Sequence, residues 1–280
     1  MDRKGKPLST VGSPGRYRTS ALSPDGTRLV YTDLADGNLK ILDLQSGITT
    51  LFTSAAGTET APVWCPDGQT IYYRSDNGGV FRKAANGTSE PIEVVDFNIN
   101  GPTQCLDHPS LGRLLLYFQG TPFRQSMDIM MLPLTGTASP RALVDSPFAE
   151  VEGQVSPNGK WLAYASGDMG EYEIDVIPFL AEGVKVRVST AGGRQPAWRA
   201  DSRELYFVSE VRKFYALSVP EAGPSRDIKP DYLFDIHANV ANTRNSYVPS
   251  ADGKRFLVNQ VLDVEDAPIN VISNWMAGIK

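Results

Sequence analysis

"SPDGTRLVY", residues 23–31, reads as a tight turn leading into a short strand, and the chain writes it repeatedly: "CPDGQTIYY" at 65–73, "SPNGKWLAY" at 156–164 and "SADGKRFLV" at 250–258. Two looser copies, "HPSLGRLLLY" from 108 and "RADSRELYFV" from 199, fill the gaps. The six turns begin at Ser23, Cys65, His108, Ser156, Arg199 and Ser250, at intervals of 42, 43, 48, 43 and 51 residues. Pro presets φ for the second turn position, Asp or Asn bonds its own backbone, and Gly accepts positive φ without steric cost. Each copy is therefore a hairpin turn and belongs to the scaffold.

Around every turn the punctuation is that of strands. A short extended piece precedes it ("YRTSAL", "APVW", "GPTQCL", "EGQV", "RQPAW", "NSYVP") and an apolar or aromatic run follows it ("RLVYTD", "TIYYRS", "WLAYAS", "ELYFVS"). A third and a fourth piece complete most units, separated by Gly, Pro, Asn, Asp or Ser. No stretch shows the 3.6-residue apolar stripe of a surface helix. Repeats of about 40–45 residues built from several short strands indicate propeller blades. The expected fold is all-β, a single six-bladed propeller over 1–280 with four-stranded antiparallel blades at about 17–57, 58–97, 98–146, 147–191, 192–238 and 239–280.

The last unit stops after its third strand, "INVISNWMAGIK", whereas "KPLSTVG" near the start reads like a fourth strand without a unit. Residues 1–12 are thus expected to complete the final blade, packing against 268–278 so that no long edge is left unpaired. Because "MDRKGK" opens on what resembles a third-to-fourth-strand turn, Met1 is also expected to be a start placed inside a longer protein.

Composition narrows the function. The chain of 280 residues is 41% hydrophobic and 21% charged, with a formal charge of −5 and no block of basic residues to attract a phosphate backbone. No nucleic-acid partner is expected. No run approaches the roughly 18 apolar residues of a membrane span, so this segment is not expected to insert into a membrane. Cys65 and Cys105 are too few for a disulfide-built scaffold. Buried apolar thiols are the expected state, a bridge is the alternative, and the compartment stays open.

Leu22, Trp64, Val155 and Trp198 each stand one residue before a turn and are expected to pack between neighbouring sheets rather than to hold a ligand.

Catalytic machinery is sparse. The two histidines, His108 and His237, fall on different elements, and no "GxSxG", "HExxH", paired-cysteine zinc spacing or phosphate loop occurs. Acidic loops at 33–37, 167–175 and 262–268 read as solvated hairpins rather than calcium sites. No catalytic residue, metal or cofactor is expected.

The repeated "SPDG", with apolar residues before it and "LxY"-like strands after it, resembles the bacterial WD40-like beta propeller repeat (PD40) of TolB. "DRKGKPLSTVG" and the tail "GGRQPAWRADSRELYFVS…RNSYVPSADGKRFLVNQ…APINVISNWMAGIK" look like the C-terminal propeller regions of bacterial transmembrane serine/threonine kinases. The resemblance implies a periplasmic or extracellular interaction or sensing module, with a kinase and a membrane helix upstream in the parent protein. It departs from TolB in showing no N-terminal α/β domain.

Binding is expected at the channel mouth where first strands begin, at Arg18, Thr19, Gln104, Glu152, Gln195, Arg244 and Ser246. That polar ring with its arginines suits a protein, a peptide or a small carboxylate-bearing ligand. The competing reading is a carbohydrate-active enzyme, sialidase-like or lyase-like, that would set Tyr247 as nucleophile among Arg18, Arg194, Arg244 and Glu152.

Overall fold

A computed structural model describes residues 1–95, 100–120, 126–135, 139–168, 171–238 and 246–261. The turn chemistry is realised as its residues dictate. At the first turn Ser23 Oγ accepts the Arg28 N–H (2.9 Å) and donates to Asp25 Oδ1 (2.5 Å), which also accepts the Thr27 N–H (3.0 Å). Ser156 with Asn158, and Ser250 with Asp252, repeat this pattern. Gly26, Gly159 and Gly253 supply the positive φ that the fourth position requires (72°, 69° and 65°). The looser copies find substitutes. His108 Nδ1 accepts the N–H groups of Ser110 and Leu111, and Ser202 adopts φ 63° where the other turns have glycine.

Each turn joins the first two strands of an antiparallel meander. The first sheet holds β1 (Tyr17–Leu22), β2 (Arg28–Asp33), β3 (Leu39–Asp43) and β4 (Thr49–Leu51). The second holds β5 (Glu59–Trp64), β6 (Thr70–Ser75), β7 (Val80–Ala84) and β8 (Ile92–Val95). Next come β9 (Gly101–His108), β10 (Gly112–Gly120), β11 (Met127–Pro133) and β12 (Arg141–Val144). They are followed by β13 (Ala149–Val155), β14 (Trp161–Asp168), β15 (Glu171–Pro178) and β16 (Val186–Arg187). A single parallel pair, Met127 with Ala149, links these two sheets. The fifth contains β17 (Arg194–Trp198), β18 (Glu204–Val208), β19 (Lys213–Ser218) and β20 (Asp231–Asp235). A sixth unit contributes the hairpin of β21 (Tyr247–Pro249) and β22 (Phe256–Val258), and its expected third strand lies outside the described residues.

Second strands are deeply buried along their middles, because they are covered by sheets on both sides. Tyr31, Tyr73 and Tyr164, each eight residues after a turn's first residue, are all buried. The expected inter-sheet role of the pre-turn tryptophans is realised. Trp64 Nε1 donates to the Ala21 carbonyl of the preceding sheet (3.1 Å), and Trp198 Nε1 to the Gln154 carbonyl (3.0 Å).

One expectation is corrected. Cys65 and Cys105 are not free thiols but a disulfide, with their Cα atoms 4.9 Å apart. Cys65 occupies the place that serine holds in the intact turns, and its sulfur staples that turn to β9 of the next sheet.

The N-terminus meets the last hairpin. Met1 exchanges two backbone hydrogen bonds with Phe256 (both 2.8 Å), Asp2 bridges Arg255, and the chain reverses through a turn at Asp2–Lys6. The Met1–Phe256 pairing places these residues beside a second strand. The partner expected from sequence, 268–278, lies outside the described residues. Arg3 anchors the reversal by gripping both oxygens of Glu204 (2.8 and 3.1 Å) and the Gly253 carbonyl (3.1 Å). Gly5, at φ 75°, passes so close to Phe234 that a Cβ would lie 2.7 Å from it.

Replacing both cysteines by alanine releases a loop of about 40 residues, which is expected to cost about 3–4 kcal/mol, read as a lower denaturation midpoint in urea. Burial tends to raise the Glu204 pKa, but Arg3 and Tyr206 more than offset it and hold the carboxyl below its ordinary range. The stabilisation from this clasp is present above the ordinary glutamate pKa and is lost as pH falls through the depressed value. Glu204→Gln is therefore expected to flatten the acid limb of the stability curve, followed by thermal melts between pH 7 and pH 3.

Candidate functional site

First strands start at one end of the sheets and run to the turns at the other, so their early residues, together with the second-to-third-strand loops, form the expected mouth. Every described first strand but that of the terminal hairpin carries a register shift at this end, between Tyr17 and Ser20, Thr60 and Val63, Val151 and Gln154, Arg194 and Ala197, and opposite Leu116–Tyr117 in β9. Such a bulge leaves a residue outside the ladder and turns its backbone away from the partner strand. Ala61, Glu152 and Gln195 sit there at φ 52°, 60° and 56°.

The polar side chains read as a mouth ring are turned sideways into these bulges. Thr19 Oγ1 accepts the Ala61 N–H (3.0 Å) and donates to Thr32 Oγ1 (2.8 Å), while Thr32 donates onward to the Glu59 carbonyl. Gln104 grips Val155 at both N–H and C=O (2.7 and 3.0 Å), and Gln154 returns a bond to the Thr103 carbonyl. Glu152 accepts the Gln195 N–H (2.7 Å) and a guanidinium N–H of Arg194 (3.0 Å). Gln195 in turn accepts the Ser246 N–H and hydroxyl at Oε1 (2.8 and 2.7 Å), and the Tyr247 hydroxyl at its carbonyl (2.6 Å). Thr19, Gln104, Glu152, Gln195 and Ser246 thus join neighbouring sheets. Arg18 is exposed and makes no ion pair among the described residues, and Arg244 lies outside them.

Arg194, read from sequence only for the enzymatic alternative, is the centre of the most charged part of this end. Its guanidinium lies over the Tyr172 ring, 4.5 Å from the centroid, and is paired with Glu152. Burial works against that positive charge, but Glu152 more than offsets it and holds the pKa above its ordinary value. Tyr247 is buried, and that burial pushes its phenol well above the usual range, with the Glu152 charge adding to the effect. His108 ends β9 at a turn, whereas His237 lies two residues past the end of β20. Among the described residues no group of three or more His, Cys, Asp or Glu is placed to hold a metal.

The sequence reading missed two buried acids at this end. Glu59 and Glu150 each stand six residues before a turn's first residue and are nearly inaccessible (3% and 1%). Thr53 donates to Glu59 and Ser146 to Glu150, yet the second oxygen of each carboxylate has no partner among the described residues. Burial raises both pKa values. Their shared offset from the turn was the available signal.

Comparison with known proteins bears on the fold. The TolB beta propeller domain family, PD40, matches residues 6–198. The chain belongs to the TolB propeller family. A TolB from Agrobacterium tumefaciens superposes with a TM-score of 0.66 at 18% identity, over 88% of this chain and 91% of that one. TolB from Acinetobacter baumannii gives 0.63 at 15% identity, over 78% and 54%. A gluconolactonase from Xanthomonas campestris also gives 0.63, at 12% identity over 86% and 82%. In sequence, an uncharacterized protein of Agrobacterium fabrum is 33% identical over 93 residues, which is 29% of this chain and 31% of that relative. The alignment therefore spans under a third of that relative's length. As a TolB propeller, the chain has the all-β architecture of four-stranded antiparallel sheets that its turns imply, and the family's fold indicates a protein-binding module.

A buried carboxylate that prefers its proton penalises the folded state when ionised. Glu59→Gln is expected to raise stability at pH 7 by roughly 1 kcal/mol, with the difference shrinking as pH falls toward the ordinary glutamate pKa, measured by urea melts at pH 7 and pH 4.5.

Proposed function

We propose that the chain is a non-catalytic binding or sensory propeller of six blades, working outside the cytoplasm as part of a larger receptor-like protein. Its ligand is a protein, a peptide or a small molecule held at the mouth where first strands begin. The observation that carries this reading is the Cys65–Cys105 bond between two sheets of a TolB-type propeller. Disulfides persist in oxidising compartments such as the periplasm and the exterior, and are rare where thiol buffers act. Six evenly recurring turns support six blades, and the Met1–Phe256 pairing supports closure of the ring through the N-terminal segment. A kinase and a membrane helix upstream belong to the same reading and rest on the resemblance of the chain's two ends to kinase-associated propellers. Among the described residues no helix is long and apolar enough to cross a membrane.

Two facts favour binding over the sialidase-like or lyase-like alternative. Tyr247 would have to lose a proton that burial holds tightly, and its hydroxyl is engaged by the Gln195 carbonyl. Glu152 is spent on Arg194 and a backbone N–H. The exposed Arg18 is the mouth residue best placed to meet an anionic group on a partner.

Exported to an oxidising periplasm, the chain is expected to contain no thiol reactive to alkylation and to melt at a higher temperature than the same chain made in a reducing cytoplasm. Equal melting of a cytoplasmic product with two free thiols would remove the compartment argument. Turnover of sialosides or sugar lactones that disappears in Tyr247→Phe at unchanged melting temperature would replace the binding reading with the enzymatic one.

A further inference from the structure

An outer strand presents a row of backbone groups to solvent, and such edges are ordinarily blunted by charge or proline. Four of the described outer strands follow that rule. β8 carries Glu93 after Pro91, β12 carries Arg141 after Pro140, β16 carries Arg187 after Lys185, and β20 carries Asp231 and Asp235 after Pro230. β4 does not. Neither a charged residue nor a proline occurs from Leu44 to Thr58, and Ile48, Thr49 and Thr50 are all β-branched, which suits an extended strand. We propose that β4 is a self-association edge, at which two copies of this chain pair antiparallel about a two-fold axis through Thr50.

Register decides which backbone groups are available. The Asp43 N–H donates to the Ile48 carbonyl and the Phe52 N–H to the Leu39 carbonyl, both at 2.9 Å. With β3 and β4 paired as Leu42–Thr49, Ile41–Thr50 and Lys40–Leu51, residues 48, 50 and 52 therefore turn their backbone groups towards β3. Those of Thr49 and Leu51 point outward, and β4 has no partner on that side among the described residues. These two residues lie symmetrically about Thr50. A second copy running in the opposite direction sets its Leu51 against Thr49 and its Thr49 against Leu51, closing four backbone hydrogen bonds without distorting either strand.

Charge favours a second copy as the occupant. Each of the other four edges carries charge of one sign, so a two-fold copy would bring like charges together, which is destabilising. β4 has none to oppose. Ile48 and Leu51 are 62% and 58% exposed, and self-pairing covers part of both. Because each copy has one such edge, assembly stops at two. The first strands stand at the other side of the sheet from β4, so dimerisation is independent of binding at the mouth.

Sedimentation velocity of the full chain is expected to show a reversible monomer–dimer equilibrium developing between about 1 µM and 1 mM, as suits a small interface. Thr50→Lys places two ammonium groups on the axis and is expected to weaken dimerisation at least tenfold with the melting temperature unchanged. Should that variant not fold, Thr50→Cys probes the same axis. A non-hydrogen-bonded pair there brings the two Cα atoms to about 4.5 Å, within disulfide reach, so air oxidation is expected to yield a covalent dimer. Ile48→Cys, whose two copies would stand about 13 Å apart along the strands, is expected to yield none. A chain still monomeric at about 1 mM, growth beyond the dimer, dimerisation indifferent to Thr50→Lys, or equal cross-linking of the two cysteine variants overturns the proposal. Thr49 and Leu51 amides that resist hydrogen exchange at every concentration also overturn it, because another segment of the chain would then hold the edge. Arg18→Glu alters the mouth alone and should leave dimerisation unchanged.

Discussion

Everything in this molecule depends on how one small twisted sheet covers the face of the next. A four-stranded meander cannot bury both of its faces, so its neighbours must do so. The buried second strands show the apolar share of that contact. The polar share is subtler. A bulge near the start of the first strands frees a backbone N–H from its own sheet, and an unpaired buried N–H is costly. The preceding sheet supplies the acceptor: Thr19 for Ala61 and Glu152 for Gln195. The irregularity in one sheet is what fastens it to another.

These fasteners differ in chemistry while occupying related places. One junction has a tryptophan and a threonine, the next a disulfide, the next a pair of glutamines, and the next a tryptophan with a buried ion pair. A buried ion pair seldom adds much net stability, but removing one partner leaves a charge stranded. The Glu152–Arg194 pair is thus better understood as specifying which two sheets meet than as strengthening the fold.

Much of the architecture could be read from the turns, because Ser, Pro, Asp and Gly each impose a local geometry that tertiary packing does not override. Trp64 and Trp198 were also legible, since a large ring at a fixed offset has one good place to go. The mouth ring was less so. Thr19, Gln104, Glu152 and Gln195 do lie on first strands, but side-chain direction at a bulge follows from a positive φ or a register shift that alternation cannot register. The disulfide was obscured for a similar reason. Cys65 stands at a serine position and Cys105 three residues before the next turn, offsets that coincide only when adjacent sheets are superposed in space.

The exchange of a turn serine for Cys65 has a consequence for the molecule's ancestry. Copies that differ only by drift can be gained, lost or shuffled. Once a boundary acquires its own matching halves, a sheet moved elsewhere in the order would face a stranger: Cys105 would lack its sulfur mate, and Arg194 would lack Glu152. The number and sequence of units are then held in place by side-chain pairing across boundaries, and the repeat has ceased to be interchangeable.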